Sequence, residues 1–289
     1  METAELLKKV RKIEIKTKGL SKHIFSGEYQ SAFKGRGMSF SEVRDYQYGD
    51  DVRNIDWNVT ARTGSAHVKI FEEERELTVM LLIDVSQSSF FGTAEQMKNE
   101  LITEMSAVLS FSAIQNNDKV GVIFFSDTIE KFIPPKKGKQ HILRIIRELI
   151  NFEPKQSGTD LGQALEYLNN VIKKRSICFI LSDFMTKDYE TPLRIAGKRH
   201  DVVGVHLYDP REEELPNIGL MRAVDAETGR VQWIDTSVQA VRENYAAWFQ
   251  DNQQYFRSSF LKSGSDVLSV RTDESYIKVL HQFFKKRAG

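Results

Sequence analysis

The strongest constraint on the fold is the stretch from Leu77 to Ser89, LTVMLLIDVSQSS, in which a run of apolar residues ends in an aspartate. An unbroken apolar run of this length is typical of a strand buried on both faces, as in a parallel sheet covered by helices. Asp84 then stands at the carboxyl end of the strand, where open α/β sheets form their ligand crevice. Asp84, Ser86 and Ser88 are spaced two residues apart, so their side chains can point to the same side of an extended backbone. Their oxygen atoms can then converge on one point, which suits a hard divalent cation.

Apolar runs and helical patterns alternate along the rest of the chain. The predicted strands are 66–71, 119–125, 128–133, 176–181, 202–208 and 266–270, and the predicted helices are 96–115, 140–151, 161–174, 193–199, 238–261 and 276–284. Pro134 and Pro135 are expected to stop the strand before them, residues 221–236 to form a hairpin, and the charged run 211–214 to be a solvated loop. The alternation predicts an α/β fold with a doubly wound, mostly parallel sheet, an N-terminal appendage and a C-terminal hairpin-helix extension.

Composition excludes several classes of protein. The net charge of +1 gives no general attraction to nucleic acid or to an anionic membrane. The single cysteine, Cys178, lies in an apolar run, which indicates a buried inert thiol and excludes an internal disulfide framework. No apolar run approaches the roughly 20 residues of a membrane-spanning helix, and the first residues are too polar for a signal peptide. The sequence therefore predicts a cytoplasmic protein without a membrane span.

The first 72 residues are expected to pack as an appendage on one α/β domain that covers residues 73–289. After an amphipathic helix, residues 35–74 show no clean period and mix arginine and aspartate with aromatic residues. The residues alone favour paired ions that brace this segment against the domain, and the alternative is a surface that docks a partner. The candidate partner-binding residues are Arg44, Asp50, Asp51, Arg53, Asp56 and Trp57.

Three loops rich in small oxygen side chains are expected at one edge of the sheet. One follows the first buried strand, one (residues 157–160) precedes the helix at Leu161, and one closes the strand 176–181. The candidate metal ligands are Asp84, Ser86, Ser88, Thr159 and Asp183. Such oxygen donors suit Mg²⁺ or Mn²⁺ and disfavour zinc. Taken singly, each loop has a simpler explanation as a turn or helix cap, and Asp160 can cap its helix whatever Thr159 does.

The ordered set of Asp-x-Ser-x-Ser, then Thr159, then Asp183 resembles the metal-ion-dependent adhesion site of von Willebrand factor A domains. The resemblance implies that Ser86, Ser88 and Thr159 contact the metal directly. It implies that Asp84 and Asp183 act directly or through water. One coordination position would remain for an acidic side chain of a protein partner.

A longer motif covers Gly35 to Trp57 and reads G-R-G-x-x-F-x-x-x-R-x-Y-x-x-G-D-D-x-R-x-I-D-W, with F-E-E-E following at Phe71 to Glu74. It resembles the signature of the bacterial family of unknown function DUF58, whose members resemble von Willebrand A domains. Members are typically associated with MoxR-type AAA+ ATPases. The resemblance implies such an ATPase as a partner, together with a client protein that offers Asp or Glu.

These observations predict a non-enzymatic, metal-dependent protein-interaction module. The chain has no G-x-S-x-G elbow, Walker loop or H-E-x-x-H motif. A phosphatase of the haloacid-dehalogenase type needs a second aspartate two residues after Asp84, where this chain has Ser86. Two alternatives stay open: a Mg²⁺-dependent hydrolase of a phosphorylated compound, and a von Willebrand A-like scaffold with a vestigial metal site.

Overall fold

The computed structural model describes residues 10–17, 39–72, 76–93, 96–154, 158–225 and 229–288. The chain forms two compact units, of which the smaller is residues 34–76 and the larger combines residues 1–33 with 77–289. The N-terminal helix α1, described over residues 10–17, belongs to the larger unit. The division predicted at residues 72 and 73, with the first part packed on the second, stays a prediction.

The smaller unit is a two-stranded antiparallel sheet with a short helix. β1 (Ser39–Asp45) pairs with β2 (His67–Glu72), and α2 (Trp57–Thr63) lies between them in the chain. Asp56 caps α2 by accepting hydrogen bonds from two backbone N–H groups of the first turn, and Gly64 ends the helix in the left-handed conformation. The sequence pattern predicted β2 but missed β1 and α2, because their apolar residues have no regular period.

The larger unit is built on a six-stranded sheet and a separate hairpin. Its strands are β3 (Thr78–Asp84), β4 (Lys119–Phe125), β5 (Ile129–Lys136), β6 (Ile177–Ser182), β7 (Asp201–Tyr208), β8 (Leu220–Val224), β9 (Val231–Asp235) and β10 (Asp266–Arg271). The large sheet has the order β10-β7-β6-β3-β4-β5, with every neighbouring pair parallel except β4 and β5. The predicted hairpin is formed by β8 and β9. The prediction of a mostly parallel α/β sheet is confirmed.

Helices cover both faces of this sheet. They are α3 (Lys98–Gln115), α4 (Lys139–Ile150), α5 (Leu161–Val171), α6 (Glu190–Arg199), α7 (Pro210–Glu213), α8 (Gln239–Lys262) and α9 (Tyr276–Ala288). Val79, Leu81 and Ile83 of β3 pack on one face with α3, α4 and α9, whereas Met80 and Leu82 pack on the other with α5, α6 and α8. Burial on both faces explains why β3 is an unbroken apolar run. In the described part of the chain, no helix has the combination of length and apolarity that a membrane span requires.

The expected stop at Pro134 and Pro135 is wrong, since β5 continues through both prolines to Lys136. Proline removes a backbone donor, and a sheet tolerates it where one side of the strand has no partner. β5 is such an edge strand. The prolines also come close to β4, because a Cβ atom on Gly121 would lie 2.9 Å from the backbone nitrogen of Pro135. Glycine at that position therefore permits the pairing.

The strand order places a crevice at the centre of the sheet. If the six strands are numbered 1 to 6 in chain order, their order across the sheet is 3-2-1-4-5-6. This is the doubly wound order, in which the first three strands extend to one side of the centre and the last three to the other. The two strands at the centre are β3 and β6, which are parallel neighbours. Their carboxyl ends carry Asp84 and Asp183, so the two carboxylates predicted as metal ligands flank the switch point where such folds bind ligands.

Candidate metal centre

Asp84, the last residue of β3, is fixed by hydrogen bonds on both of its carboxylate oxygens. Oδ1 accepts from the backbone N–H of Ser86 at 3.0 Å, and Oδ2 accepts from the hydroxyl of Ser182 at 2.5 Å. The side chain is almost completely buried. Burial, followed by the nearby charge of Asp183, raises the pKa of Asp84 to about 6 despite these hydrogen bonds. The site thus contains two carboxylates that repel each other, which a cation would relieve.

The hydroxyls of Ser86 and Ser88 lie side by side. After β3 the chain enters a short 3-10 helix, Gln87–Phe90, which turns both side chains toward the same place. The two hydroxyls are hydrogen-bonded to each other, with their Oγ atoms 3.1 Å apart. Neighbouring ligands of an octahedral Mg²⁺, at bond lengths of about 2.1 Å, lie about 3 Å from each other. The hydroxyl pair therefore has the spacing of two adjacent ligands of one cation.

Asp183 follows β6 and is tied to its surroundings from several sides. Its carboxylate lies near the Ser88 hydroxyl, which lowers its pKa, and Oδ1 accepts from the backbone N–H of Met185 at 3.3 Å. Oδ2 lies 3.0 Å from Nζ of Lys98. Burial is the largest single influence and raises the pKa of Asp183, but the charge of Lys98, together with the nearby Ser88 hydroxyl and the N–H of Met185, outweighs it in sum, so the net pKa is lowered. Asp183 is therefore an ionised, internally paired carboxylate.

The backbone that positions Asp183 is unusual at the next residue. Phe184 has a φ of 52°, in the left-handed region that side chains other than glycine seldom adopt. Its N–H donates to the Ser182 hydroxyl, and its ring stacks on Phe256 with centroids 4.2 Å apart. Strain of this kind persists where packing enforces it, and it concentrates at functional sites.

The loop that carries Thr159 reaches the same edge of the sheet. The carbonyl oxygen of Thr159 accepts from the hydroxyl of Thr186, three residues after Asp183. The next residue, Asp160, donates its N–H to the carbonyl of Ser126, which directly follows β4. Asp160 also caps α5 through a hydrogen bond from the N–H of Gln163. The third predicted loop thus lies beside the loops after β6 and β4, and Ser157 falls outside the described residues.

Lys98, which sequence reasoning missed, is a positive charge in direct contact with this group. It begins α3 with only 1% of its side chain exposed, and its Nζ lies 2.6 Å from Glu212 as well as 3.0 Å from Asp183. A lysine is rarely buried without a partner, and a cation in the first turn opposes the helix dipole. Burial lowers the pKa of Lys98, but the charges and hydrogen bonds of Asp183 and Glu212 together raise it by more than burial lowers it. The ammonium therefore stays charged.

A signal for Lys98 is present in the sequence. The residue precedes Leu101 by three positions and Met105 by seven, which places it on the same face of the helix as these two apolar residues. A lysine on that face needs a buried acidic partner. The partners could not be named from the sequence, because they lie 85 and 114 positions away.

Glu212 belongs to a helix instead of the expected solvated loop. It is the third residue of α7 and forms a capping box with Asp209, whose backbone N–H donates to Oε2 at 2.8 Å. Asp209 in turn accepts from Thr93, on the loop after β3, and from Thr272, after β10. The prediction of a solvated loop is wrong for Glu212, because this network and Lys98 hold it in a half-buried position.

The donor chemistry fits a hard cation. Among the described residues, no group of three or more His, Cys, Asp or Glu side chains is placed to hold a metal ion, so the candidate set depends on hydroxyl oxygens. Ser86 and Ser88 have the required spacing, and Asp84 is oriented beside them. Asp183 can offer the cation its Oδ1 atom, since Lys98 already binds Oδ2.

The six candidate partner-binding residues lie in the smaller unit. Arg44 holds Asp50 through two hydrogen bonds of 2.7 and 2.8 Å, and Arg53 pairs with Asp51 at 2.7 Å. Their neighbour Trp57 is 69% exposed. These contacts, with the cap supplied by Asp56, order the segment internally. The bracing and docking roles both stay predictions.

A family model described as "Protein of unknown function DUF58" matches residues 42–255. The chain belongs to this family. Uncharacterized proteins of Mycobacterium tuberculosis and Mycobacterium bovis are 29% identical to this DUF58 protein over 290 residues, which cover 99% of its chain and 91% of theirs. The uncharacterized protein YeaD of Bacillus subtilis is 23% identical over 63% of this chain and 44% of its own. The predicted family is thereby confirmed.

Two solved structures similar to this DUF58 protein were found at low sequence identity. BatB from Bacteroides thetaiotaomicron is 18% identical, with a TM-score of 0.48, over 73% of this chain and 98% of its own. The VWA domain of SpRpn10 is 10% identical, with a TM-score of 0.44, over 72% of this chain and 95% of its own. The fold assignment itself follows from the strand order and the helices on both faces.

Proposed function

We propose that this DUF58 protein is a non-enzymatic interaction module that captures an acidic side chain of a partner through Mg²⁺ or Mn²⁺. The proposed ligands are Asp84, Ser86, Ser88, Thr159 and Asp183. The observation that carries the proposal is the pair of hydroxyls 3.1 Å apart beside two buried carboxylates at the switch point of the sheet. Hydroxyl and carboxylate oxygens in this number suit a hard cation that keeps open positions.

The protein residues would have distinct tasks in this capture. Ser86 and Ser88 supply neutral oxygens, so they leave the positive charge of the site available to an incoming carboxylate. Asp84 supplies a negative oxygen whose direction is fixed by Ser182 and by the N–H of Ser86. When bound, the divalent cation would offer one directional bond to an Asp or Glu of the partner.

The proposed partner is a MoxR-type AAA+ ATPase in the cytoplasm, with a client protein as a second source of the acidic side chain. This part of the proposal comes from the family and from the surface of the smaller unit. Trp57 is an exposed large aromatic residue, and Trp and Arg are the residue types that most often anchor protein interfaces. Arg44 and Arg53, each held by an aspartate, present guanidinium groups in the same segment.

Calorimetric titration with Mg²⁺ and Mn²⁺ tests the ligand assignment. We expect saturable binding by the wild type and at least tenfold weaker binding by Asp84→Asn, which loses the negative charge of one ligand, and by Ser88→Ala, which loses a ligand oxygen. Ser237→Ala is the matched control, because it removes a hydroxyl bonded to Asp235 next to the hairpin. Unchanged affinity in the two site variants, with wild-type circular dichroism, would reject the assignment.

Capture from cell extract tests the partner. The tagged protein should retain an AAA+ ATPase in Mg²⁺ and lose it in EDTA or with Asp84→Asn. Retention that is indifferent to both treatments would favour a vestigial metal site. A screen of the purified protein against generic phosphoesters tests the enzyme alternative, and turnover that requires both metal and Asp84 would overturn the proposal in favour of a hydrolase.

A further inference from the structure

We propose that Lys98 is an internal counter-ion that competes with the divalent cation for Asp183 and so sets how tightly the site binds metal. The inference rests on the proposed function and deepens it. Lys98 would be a positioning residue, because it acts on the metal through Asp183 and not by contact.

The location of Lys98 supports this role. Its side chain is 1% exposed, so water cannot solvate the ammonium, and its charge is balanced by Asp183 and Glu212. Asp183 binds the ammonium through Oδ2 and lies near the hydroxyl of Ser88. Ser88 is one of the two hydroxyls spaced for the cation. Asp183 therefore stands between the ammonium and the proposed metal position and is shared by both.

Like charges in a partly buried site repel each other strongly, because little water screens them. A divalent cation beside Ser88 would lie a short distance from the Lys98 ammonium, with one carboxylate between them. Each positive charge then weakens the hold of Asp183 on the other. The presence of Lys98 consequently makes the site a weaker metal binder than its oxygen donors alone would be.

Glu212 limits this competition. It accepts from Nζ of Lys98 at 2.6 Å, a shorter contact than the one to Asp183, and it draws the ammonium away from the metal position. The capping box with Asp209 fixes the Glu212 side chain, so the position of its carboxylate beside Lys98 is set by the fold. Lys98 and Glu212 are therefore expected to have opposite effects on metal affinity.

Calorimetric titration of the full chain with Mg²⁺ alone and with Mn²⁺ alone tests the inference. Lys98→Met keeps the length of the side chain and removes its charge, and we expect the dissociation constant to fall at least tenfold. Glu212→Gln keeps an oxygen for the N–H of Asp209 but leaves the ammonium to Asp183, and we expect the dissociation constant to rise several-fold. Lys131→Met, which breaks an ion pair with Glu148, is the control and should leave the constant unchanged.

The outcomes separate this inference from the proposed function. Metal binding by the wild type that Lys98→Met leaves unchanged or weakens overturns the inference alone. Binding by Lys98→Met but not by the wild type supports the inference and rejects cation-bridged capture by the native protein. Binding by neither rejects both. If Lys98→Met does not fold, Lys98→Gln takes its place, because it also removes the charge: tighter binding than the wild type supports the inference, and unchanged or weaker binding overturns it.

Discussion

His200 is a histidine that the fold keeps uncharged. Its ring is almost completely buried directly after α6, and Nδ1 lies 3.0 Å from the hydroxyl of Ser176. Burial, with the nearby charges of Arg199 and Arg175, lowers the pKa of His200 to about 4. In an unfolded chain the pKa of histidine is about 6.5. At pH values between these two pKa values, His200 is protonated in the unfolded chain and neutral in the folded protein.

This difference predicts a loss of stability in mild acid. The contribution of His200 is complete above its unfolded pKa and is lost as the pH falls toward its folded pKa. From pH 7 to pH 5, we expect it to lower the free energy of unfolding by about 1–2 kcal/mol. Urea denaturation of the wild type and of His200→Gln at both pH values measures it, since His206, whose pKa is also lowered to about 4, contributes equally to both proteins. Parallel pH dependences of the two proteins would contradict the prediction.

At the scale of single residues, the sequence predicts groups whose position follows from a strand end. Asp84 and Asp183 each end an apolar run, and parallel strands put such ends at one edge of the sheet. Lys98 and Glu212 have no comparable signal for their partners. Their contacts depend on how α3 and α7 approach the edge, and that approach is decided by packing over long separations in sequence.

At the scale of the elements, α2 offers a comparison between a buried cap and an exposed ion pair. Asp56 is buried and accepts from the backbone N–H groups of Asn58 and Val59. The pair of Arg53 with Asp51 lies on the surface, where solvent screens it. We expect Asp56→Ala to speed amide hydrogen exchange in α2 roughly fivefold, because an N-cap is lost. Arg53→Ala should leave the exchange nearly unchanged.

Hydrogen-exchange mass spectrometry of a peptide that covers residues 57–63 makes this measurement. Asp51→Ala serves as a second control, because it breaks the same surface pair from the other side. If Arg53→Ala loosened α2 as much as Asp56→Ala does, the surface pair would have a structural role that its exposure does not explain. That result would favour the bracing interpretation of the segment.

The elements that the sequence predicted well are those whose burial is uniform. β3, β4, β6 and β7 are buried along nearly their whole length, so their apolar runs are continuous. α2 has a mixed pattern, because none of its seven residues is buried. The continuation of β5 through Pro135 depended on its place at the edge of the sheet, which a local pattern does not contain.

At the scale of the whole molecule, the candidate site exists only when the central sheet is complete. Its residues come from the loops after β3 and β6 and from the loop before α5, which are far apart in the sequence. The parallel pairing of β3 with β6 joins the first two, and hydrogen bonds to Thr159 and Asp160 join the third. An unfolded chain offers these oxygens separately, so it should bind the cation much more weakly than the folded protein does.

Metal binding and global stability should therefore be linked. A ligand that binds only the folded state, present at about 100 times its dissociation constant, raises the free energy of unfolding by about 2.7 kcal/mol. We expect that increase for the wild type between EDTA and Mg²⁺ in urea denaturation followed by circular dichroism. Asp84→Asn, which is expected to bind at least tenfold more weakly because its central carboxylate is lost, should gain no more than about 1.4 kcal/mol under the same conditions. An equal shift in the wild type and in this variant would mean that Mg²⁺ acts elsewhere on the protein. If the free energy of unfolding of the wild type does not change at Mg²⁺ concentrations that calorimetry shows to be saturating, the unfolded chain must bind the metal as tightly as the folded protein does. The site would then not depend on the folded sheet.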